Sequence, residues 1–277
     1  MEKTLVILIG DSRGGEKTWN TMYDHLLKPF NADLALCFGY KENKIESLYE
    51  RAKYIWEIPE YKEWGDYYVQ NFGKDGIWKK VFDKGKEIGF SGLYGSRGSG
   101  AIALAFRHWI LSNKREVLLS YDRIVVSRSD HFYVADHPLV DTNHFWIPVG
   151  EGYGGITDRH HVFPSCDTDL VLGVVKNYIN TEKIIEDFEK DDRHLNLEQV
   201  YMKYFTNNDY FDKVKEFKRV QFTVKTETDS TRWWGGMGNR VIAHPELLLK
   251  YGHEYDLCMT GHFGGTHNVD QYGNRLV

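Results

Sequence analysis

Residues 5–9 (LVILI) form an unbroken aliphatic run that ends in the polar, glycine-rich stretch Gly10-Asp11-Ser12-Arg13-Gly14-Gly15. A half-exposed strand would alternate with polar residues, so a continuous run suits a strand covered on both faces, as in a parallel sheet. Trp19, Met22, Tyr23, Leu26 and Leu27 then recur at helical spacing until Pro29 ends the helix. Residues 32–39 (ADLALCFG) read as a second strand. Strand, turn, helix and strand in close succession make a βαβ unit, which requires a parallel strand pair with a helix across one face. The expected class is α/β, an open, mostly parallel Rossmann-type sheet flanked by helices.

Further elements follow the same logic. Residues 40–90 are mixed, aromatic and charged, and read as helices and loops around a short apolar run at 54–58. Ile102, Ala105, Phe106, Trp109 and Ile110 mark an amphipathic helix that starts near Ser99. Residues 122–127 (DRIVVS) and 144–149 are expected as strands, and 217–226 as another, with Val220, Phe222 and Val224 alternating with polar neighbours. Helices are expected at 168–178, 182–188 and 197–205. Thr181 caps the second, and Asn196 with Gln199 forms a capping box for the third. A short helix is expected near 245–251, within an irregular C-terminal portion. No repeat or linker divides the chain, so a single domain spans 1–277.

Charge and composition exclude several classes. The net charge of −5 gives no bulk attraction for nucleic acid, and no nucleic-acid partner is expected. No apolar run approaches the roughly 20 residues of a membrane span. The short apolar patch after Met1-Glu2-Lys3 is not expected to act as a secretory leader. Cys37, Cys166 and Cys258 lie far apart with no CxxC pair, against a disulfide framework or structural zinc and in favour of a reducing, cytoplasmic setting. Aromatic residues make up 15% of the chain. Most are expected in the core, and exposed rings beside glycine loops would suit flat polar ligands such as sugars or nucleobases.

Several segments carry candidate chemistry. Gly10, Gly15, Lys17 and Thr18 almost spell a phosphate loop, but Glu16 intervenes and would misplace the lysine. What survives is a strand-to-helix glycine turn with backbone amides and the cations Arg13 and Lys17, which favours an anionic ligand. At the end of 122–127 lie Arg128, Ser129 and Asp130. Alternation along an extended chain would put Arg128 and Asp130 on one face. Asp130 could then hold a divalent cation or simply pair with Arg128. The loop 150–159 (GEGYGGITDR) offers Tyr153, Gly154 and Gly155 for ligand contact and Asp158 as a base or hydroxyl binder. Glu198, in the first turn of the Asn196-capped helix, is favoured there by the helix dipole and is a second base candidate. Trp233 and Trp234 look like a lid or an acceptor platform. His262 and His267 are two of 12 histidines, each more easily read as structural than as a metal ligand.

Together, the runs 7–39, 98–133 and 146–160 resemble soluble nucleotide-sugar glycosyltransferases of the GT-A type, in particular the small enzymes that large algal DNA viruses encode for capsid glycans. The resemblance implies a GT-A-like sheet with a nucleotide-sugar-binding half (1–135) and an acceptor-binding half (136–277). It also implies a UDP-sugar donor, carrying xylose or a hexose, and a glycan acceptor such as one attached to a protein, in the host cytoplasm for a viral enzyme. The strand-end DxD of that family, which holds Mn2+ or Mg2+ on the donor diphosphate, falls on Arg128, Ser129 and Asp130. Arginine therefore stands where the first acidic residue would be. Either Asp130 alone anchors the metal, or Arg128 partly replaces it. Donor contacts carry over to Gly10, Asp11 and Arg13, and sugar and acceptor contacts to the loop around Tyr153–Asp158. Inverting transfer would use Asp158 as the base, with Glu198 as second choice. The alternatives are a phosphate-loop kinase or sulfotransferase-like enzyme and a non-catalytic glycan-binding module.

Overall fold

The computed structural model describes residues 2–40, 42, 46–87, 99–150, 152–190, 196–229, 247–250 and 252–260. Strand β1 (Thr4–Gly10) is buried throughout apart from its last residue. Its alternate side chains enter two different cores, Leu5, Ile7 and Ile9 on one face and Val6 and Leu8 on the other. This is why the aliphatic run has no polar interruption: neither face meets water. Helix α1 (Gly15–Met22), a wide π-helical turn (Tyr23–Leu27) and α2 (Lys28–Phe30) lead to β2 (Asp33–Gly39). Pro29 does not end the helix where the sequence implies. It lacks an N–H for the His25 carbonyl, which accepts instead from the backbone N–H of His137 at 2.7 Å. The chain then turns at Asn31, with a φ of 47°.

Helix α3 (Ser47–Arg51) crosses to β3 (Tyr54–Ile58), which pairs with β2 in parallel. The apolar run at 54–58 is therefore the edge strand of the sheet, not helix or loop. Leu48 and Tyr49 of α3 join Trp19, Met22 and Leu26 in the core under Val6 and Leu8. The chain now changes face. Helices α4 (Gly65–Phe72), α5 (Ile77–Glu87) and α6 (Ser99–Leu119) pack Tyr67, Tyr68, Trp78, Phe82, Leu104 and Ile110 into the core under Leu5 and Ile7. They return the chain to β4 (Arg123–Ser127), which pairs with β1 in parallel on the side away from β2.

Beyond β4, β5 (His131–Tyr133) leaves the main sheet, while β6 (Phe145–Pro148) and β7 (His161–Pro164) rejoin it. Strand β7 was not foreseen, and it runs antiparallel to β4 and β6. After a 3-10 turn, α7 (Thr168–Leu172) gives way at Gly173 to a π-helical turn, Val175–Ile179, so the helix expected over 168–178 is broken. Helices α8 (Glu182–Lys190) and α9 (Leu197–Asn207) precede β8 (Val214–Phe217), which pairs with β6 in parallel. The order is β3-β2-β1-β4-β7-β6-β8, a mixed, mostly parallel seven-stranded sheet with helices on both faces.

A second sheet decides where the loops go. Strand β9 (Gln221–Lys225) pairs antiparallel with β5 on one side and with β10 (Leu248–Leu249) on the other. The segment expected as one strand over 217–226 is thus divided between two sheets around the buried Arg219. Residues 247–250 contain strand β10 rather than the expected helix, and the helix α10 (Gly252–Met259) follows. No helix among the described residues is long and apolar enough to cross a membrane.

Candidate functional site

The order reverses between β1 and β4: from β1 the chain runs to β2 by helices on one face, and it comes back to β4 by helices on the other. Loops leaving the carboxyl ends of such a strand pair diverge to opposite faces and leave a crevice, the place where ligands bind in open α/β sheets. Here the crevice is bordered by Gly10–Gly14 after β1 and Arg128–Asp130 after β4. Ser129 joins the two loops. Its hydroxyl donates to the Asp11 carbonyl at 2.5 Å and accepts from the Arg13 N–H at 3.0 Å.

Three amides of the glycine turn donate to protein acceptors. Besides Arg13 N–H, the Ser12 N–H donates to Asp11 Oδ1 at 2.8 Å and the Gly14 N–H to Asp229 Oδ2 at 3.0 Å. Gly14 holds a φ of 88°, which aims its amide outward from the start of α1. A carboxylate thus lies where a phosphate loop would seat phosphate. Glu16 accepts from the Ser47 backbone at 3.0 Å and hydroxyl at 2.5 Å, tying α1 to α3. The amides of Ser12, Arg13 and Gly14 are therefore committed within the protein, and the side chain of Arg13 adds positive charge near Asp130.

Arg128, Ser129 and Asp130 form a turn, not an extended strand end, because β5 departs into the second sheet and the Val224 N–H takes the Asp130 carbonyl at 2.8 Å. The turn still brings Arg128 and Asp130 together. Arg128 Nε donates to Asp130 Oδ1 at 2.7 Å and Nη2 to Oδ2 at 2.6 Å, a two-pronged pair. The Asp130 side chain is 1% exposed and that of Arg128 26%. Burial alone would raise the Asp130 carboxyl, yet Arg128, aided by Arg13, holds it well below the usual carboxylate range. The charges of Arg159 and Asp158, on the loop after β6, also act on Arg128. The Arg128–Asp130 pair thus lies within electrostatic reach of Arg13 from the first loop and of Arg159 and Asp158 from the third.

The Asp158 loop is held from behind. Arg107 of α6, 1% exposed, donates to the Asp158 carbonyl, and His161 donates to the Thr157 carbonyl. Burial pushes the His161 imidazole down to about 3, so it is neutral at physiological pH. Tyr153 adopts a φ of 43° and lies under Arg159, whose guanidinium is 5.4 Å from the ring centre. The capping box at Asn196 forms as expected, and Asn196 Nδ2 also donates to the Tyr153 carbonyl at 2.9 Å. Glu198 presents its carbonyl to the Ile156 N–H at 2.9 Å. A Cβ on Gly155 would come 2.2 Å from that carbonyl oxygen. The packing of α9 thus accounts for this glycine without a ligand. Gly154 faces Gln199 in the same way, its Cβ position 3.2 Å from Nε2. Trp233 and Trp234 lie outside the described residues, as do His262 and His267.

Ser129, Arg107 and Asp229 were missed as contributors. Ser129 had a signal in being enclosed by Arg128 and Asp130. The other two are brought in from distant elements, with nothing local to mark them.

Mn2+ or Mg2+ at Asp130 can be tested against this geometry. A hard divalent ion needs several oxygen ligands. Each Asp130 oxygen already accepts an N–H from Arg128, and the guanidinium occupies the cation position. Among the described residues no group of three or more His, Cys, Asp and Glu side chains gathers to hold a metal. As arranged, these residues do not fit a divalent cation. Comparison with known proteins adds no assignment: no family model matches the chain, and no curated protein is detectably similar to it.

Proposed function

We propose that the chain is a glycosyltransferase that moves a sugar from a nucleoside-diphosphate donor, UDP-linked in the first instance, to a hydroxyl of a glycan acceptor. The observation that carries this reading is the crevice between β1 and β4, where Ser129 clips the two loops together and the Arg128–Asp130 pair lies within electrostatic reach of Arg13 and Arg159. Clustered guanidinium groups suit a diphosphate, whose oxygens match their planar donors. Asp158, within electrostatic reach of Arg128 and held by Arg107, is suited to act as the base.

In this reading the acceptor hydroxyl attacks the anomeric carbon and its proton passes to the Asp158 carboxylate. The bond from that carbon to the diphosphate oxygen breaks, and its electron pair leaves with the nucleoside diphosphate. Negative charge growing on that oxygen is met by the crevice guanidinium groups, which stabilise the transition state more than the ground state. Glu198 is the second base candidate. The phosphate-loop alternative is weakened by Asp229, which accepts the Gly14 amide that such a loop would give to phosphate.

A thermal-shift screen of UDP, GDP, CDP and ADP sugars should give a rise in melting temperature with one donor class, since a ligand that binds only the folded state stabilises it by mass action. With that donor, Asp158→Asn should abolish transfer while the shift on donor binding persists. If no nucleotide sugar moves the transition, the reading is wrong. Full transfer by Asp158→Asn would shift the base role to Glu198.

A further inference from the structure

We propose that Arg128, oriented by Asp130 and joined by Arg13, is the resident cation of the diphosphate site, so that the chain binds its nucleoside diphosphate without a divalent metal. The inference rests on the functional reading above and specifies how that site handles charge. It starts from the division of labour within Arg128. Nε and Nη2 are both committed to Asp130, and Nη1 donates to no protein group among the described residues. The two-pronged pair fixes the plane of the guanidinium, and its free edge then points away from Asp130. That side chain is 26% exposed and its carboxylate partner 1%, so the cation is the member of the pair that a ligand can reach.

Arg13 adds a second cation from the other loop. Its Nη2 is 3.6 Å from the position a Cβ would take on Gly10, and its Nε is buried without a hydrogen-bond partner. Ser129 fixes the backbone of Arg13 relative to Arg128 through its two hydrogen bonds. Two guanidinium forks on loops that Ser129 ties together suit a diphosphate in a metal-free site. A divalent ion at Asp130 would share both carboxylate oxygens with Arg128 or displace it, and would sit beside its positive charge.

The test is calorimetric titration of the full-length chain with UDP and with inorganic pyrophosphate, first in EDTA and then with manganese chloride. Both ligands should bind in EDTA, with dissociation constants that manganese leaves unchanged. Arg128→Ala should weaken UDP by about tenfold or more, as loss of one charge-assisted contact implies, and manganese should not restore it. Arg128→Lys keeps the charge without the fork and should lie between the two, which keeps the test open if the alanine variant fails to fold. UDP binding only in manganese would overturn the inference and leave the glycosyltransferase reading intact. Unchanged affinity in Arg128→Lys and Arg128→Ala would also overturn it. If no nucleoside diphosphate binds under either condition, the functional reading falls and takes this inference with it.

Discussion

Arg128 and Asp130 are two residues apart, and their meeting depends on an abrupt turn. Alternation along a strand placed them side by side for the wrong reason: β4 ends at Ser127, and the turn that follows closes the pair. The types of residue were legible, a cation and a carboxylate after a buried aliphatic run, but their state was not. Burial decides it, because a carboxylate at 1% exposure must be compensated and the nearest cation is Arg128. The two halves of the pair are not equivalent. Arg128→Ala leaves a buried carboxylate without its fork and should cost about 3 kcal/mol, toward the lower end for a broken buried pair. Asp130→Ala leaves a guanidinium that water can still reach and should cost less. Urea denaturation of both variants measures the order; a larger loss for Asp130→Ala would contradict the burial argument.

Among the elements, helix α9 illustrates what a local signal can and cannot carry. The capping box at Asn196 and Gln199 was plain in the sequence and forms as expected, because its hydrogen bonds span only three residues. That the same turn would clamp the Tyr153–Ile156 loop was not legible, since the partners are about forty residues away in the chain. Gly155 was read as room for a ligand, and the backbone of Glu198 fills that room instead. Gly155→Ala puts a Cβ 2.2 Å from the Glu198 carbonyl oxygen. It should therefore destabilise the fold by roughly 1–3 kcal/mol, the cost of overpacking. A thermal unfolding transition unchanged in Gly155→Ala would show that α9 is free to shift. Strands β3 and β7 were missed for a related reason. Both are short, and in β3 burial alternates but polarity does not, because the exposed positions include Ile55 as well as Glu57.

For the molecule as a whole, a chain of buried histidines links the carboxyl end of β4 to the core. The His137 ring Nδ1 faces the Pro138 carbonyl at 2.8 Å, so it carries the proton and Nε2 accepts from His160 at 3.0 Å. His160 Nδ1 then accepts from the Ser127 hydroxyl at 3.0 Å, and Ser127 accepts from His131 Nδ1 at 3.2 Å. Each link works only with neutral rings at His137 and His160. Burial holds His137 down to about 4 and His160 well below its ordinary value. Unfolded, these imidazoles titrate near 6.5. The unfolded chain therefore takes up protons first, and stability is full above about pH 6.5 and falls as pH drops toward 4. For His137 alone the loss by pH 5 is about 2 kcal/mol. Urea midpoints measured across this range should fall with pH, and His137→Gln should flatten the slope. A midpoint independent of pH between 7 and 5 would contradict the neutral chain.

The sequence by itself determined the α/β class, the first βαβ unit, the helix α6 and the cap of α9, because each is written in contacts between near neighbours or in the period of buried side chains. Only the tertiary structure decided that β5 and β9 would form a second sheet, that Asp229 would take the Gly14 amide and that Arg107 would hold the Asp158 loop. Those outcomes depend on which distant groups are left unsatisfied once the sheet closes, a balance between remote partners that no local pattern records.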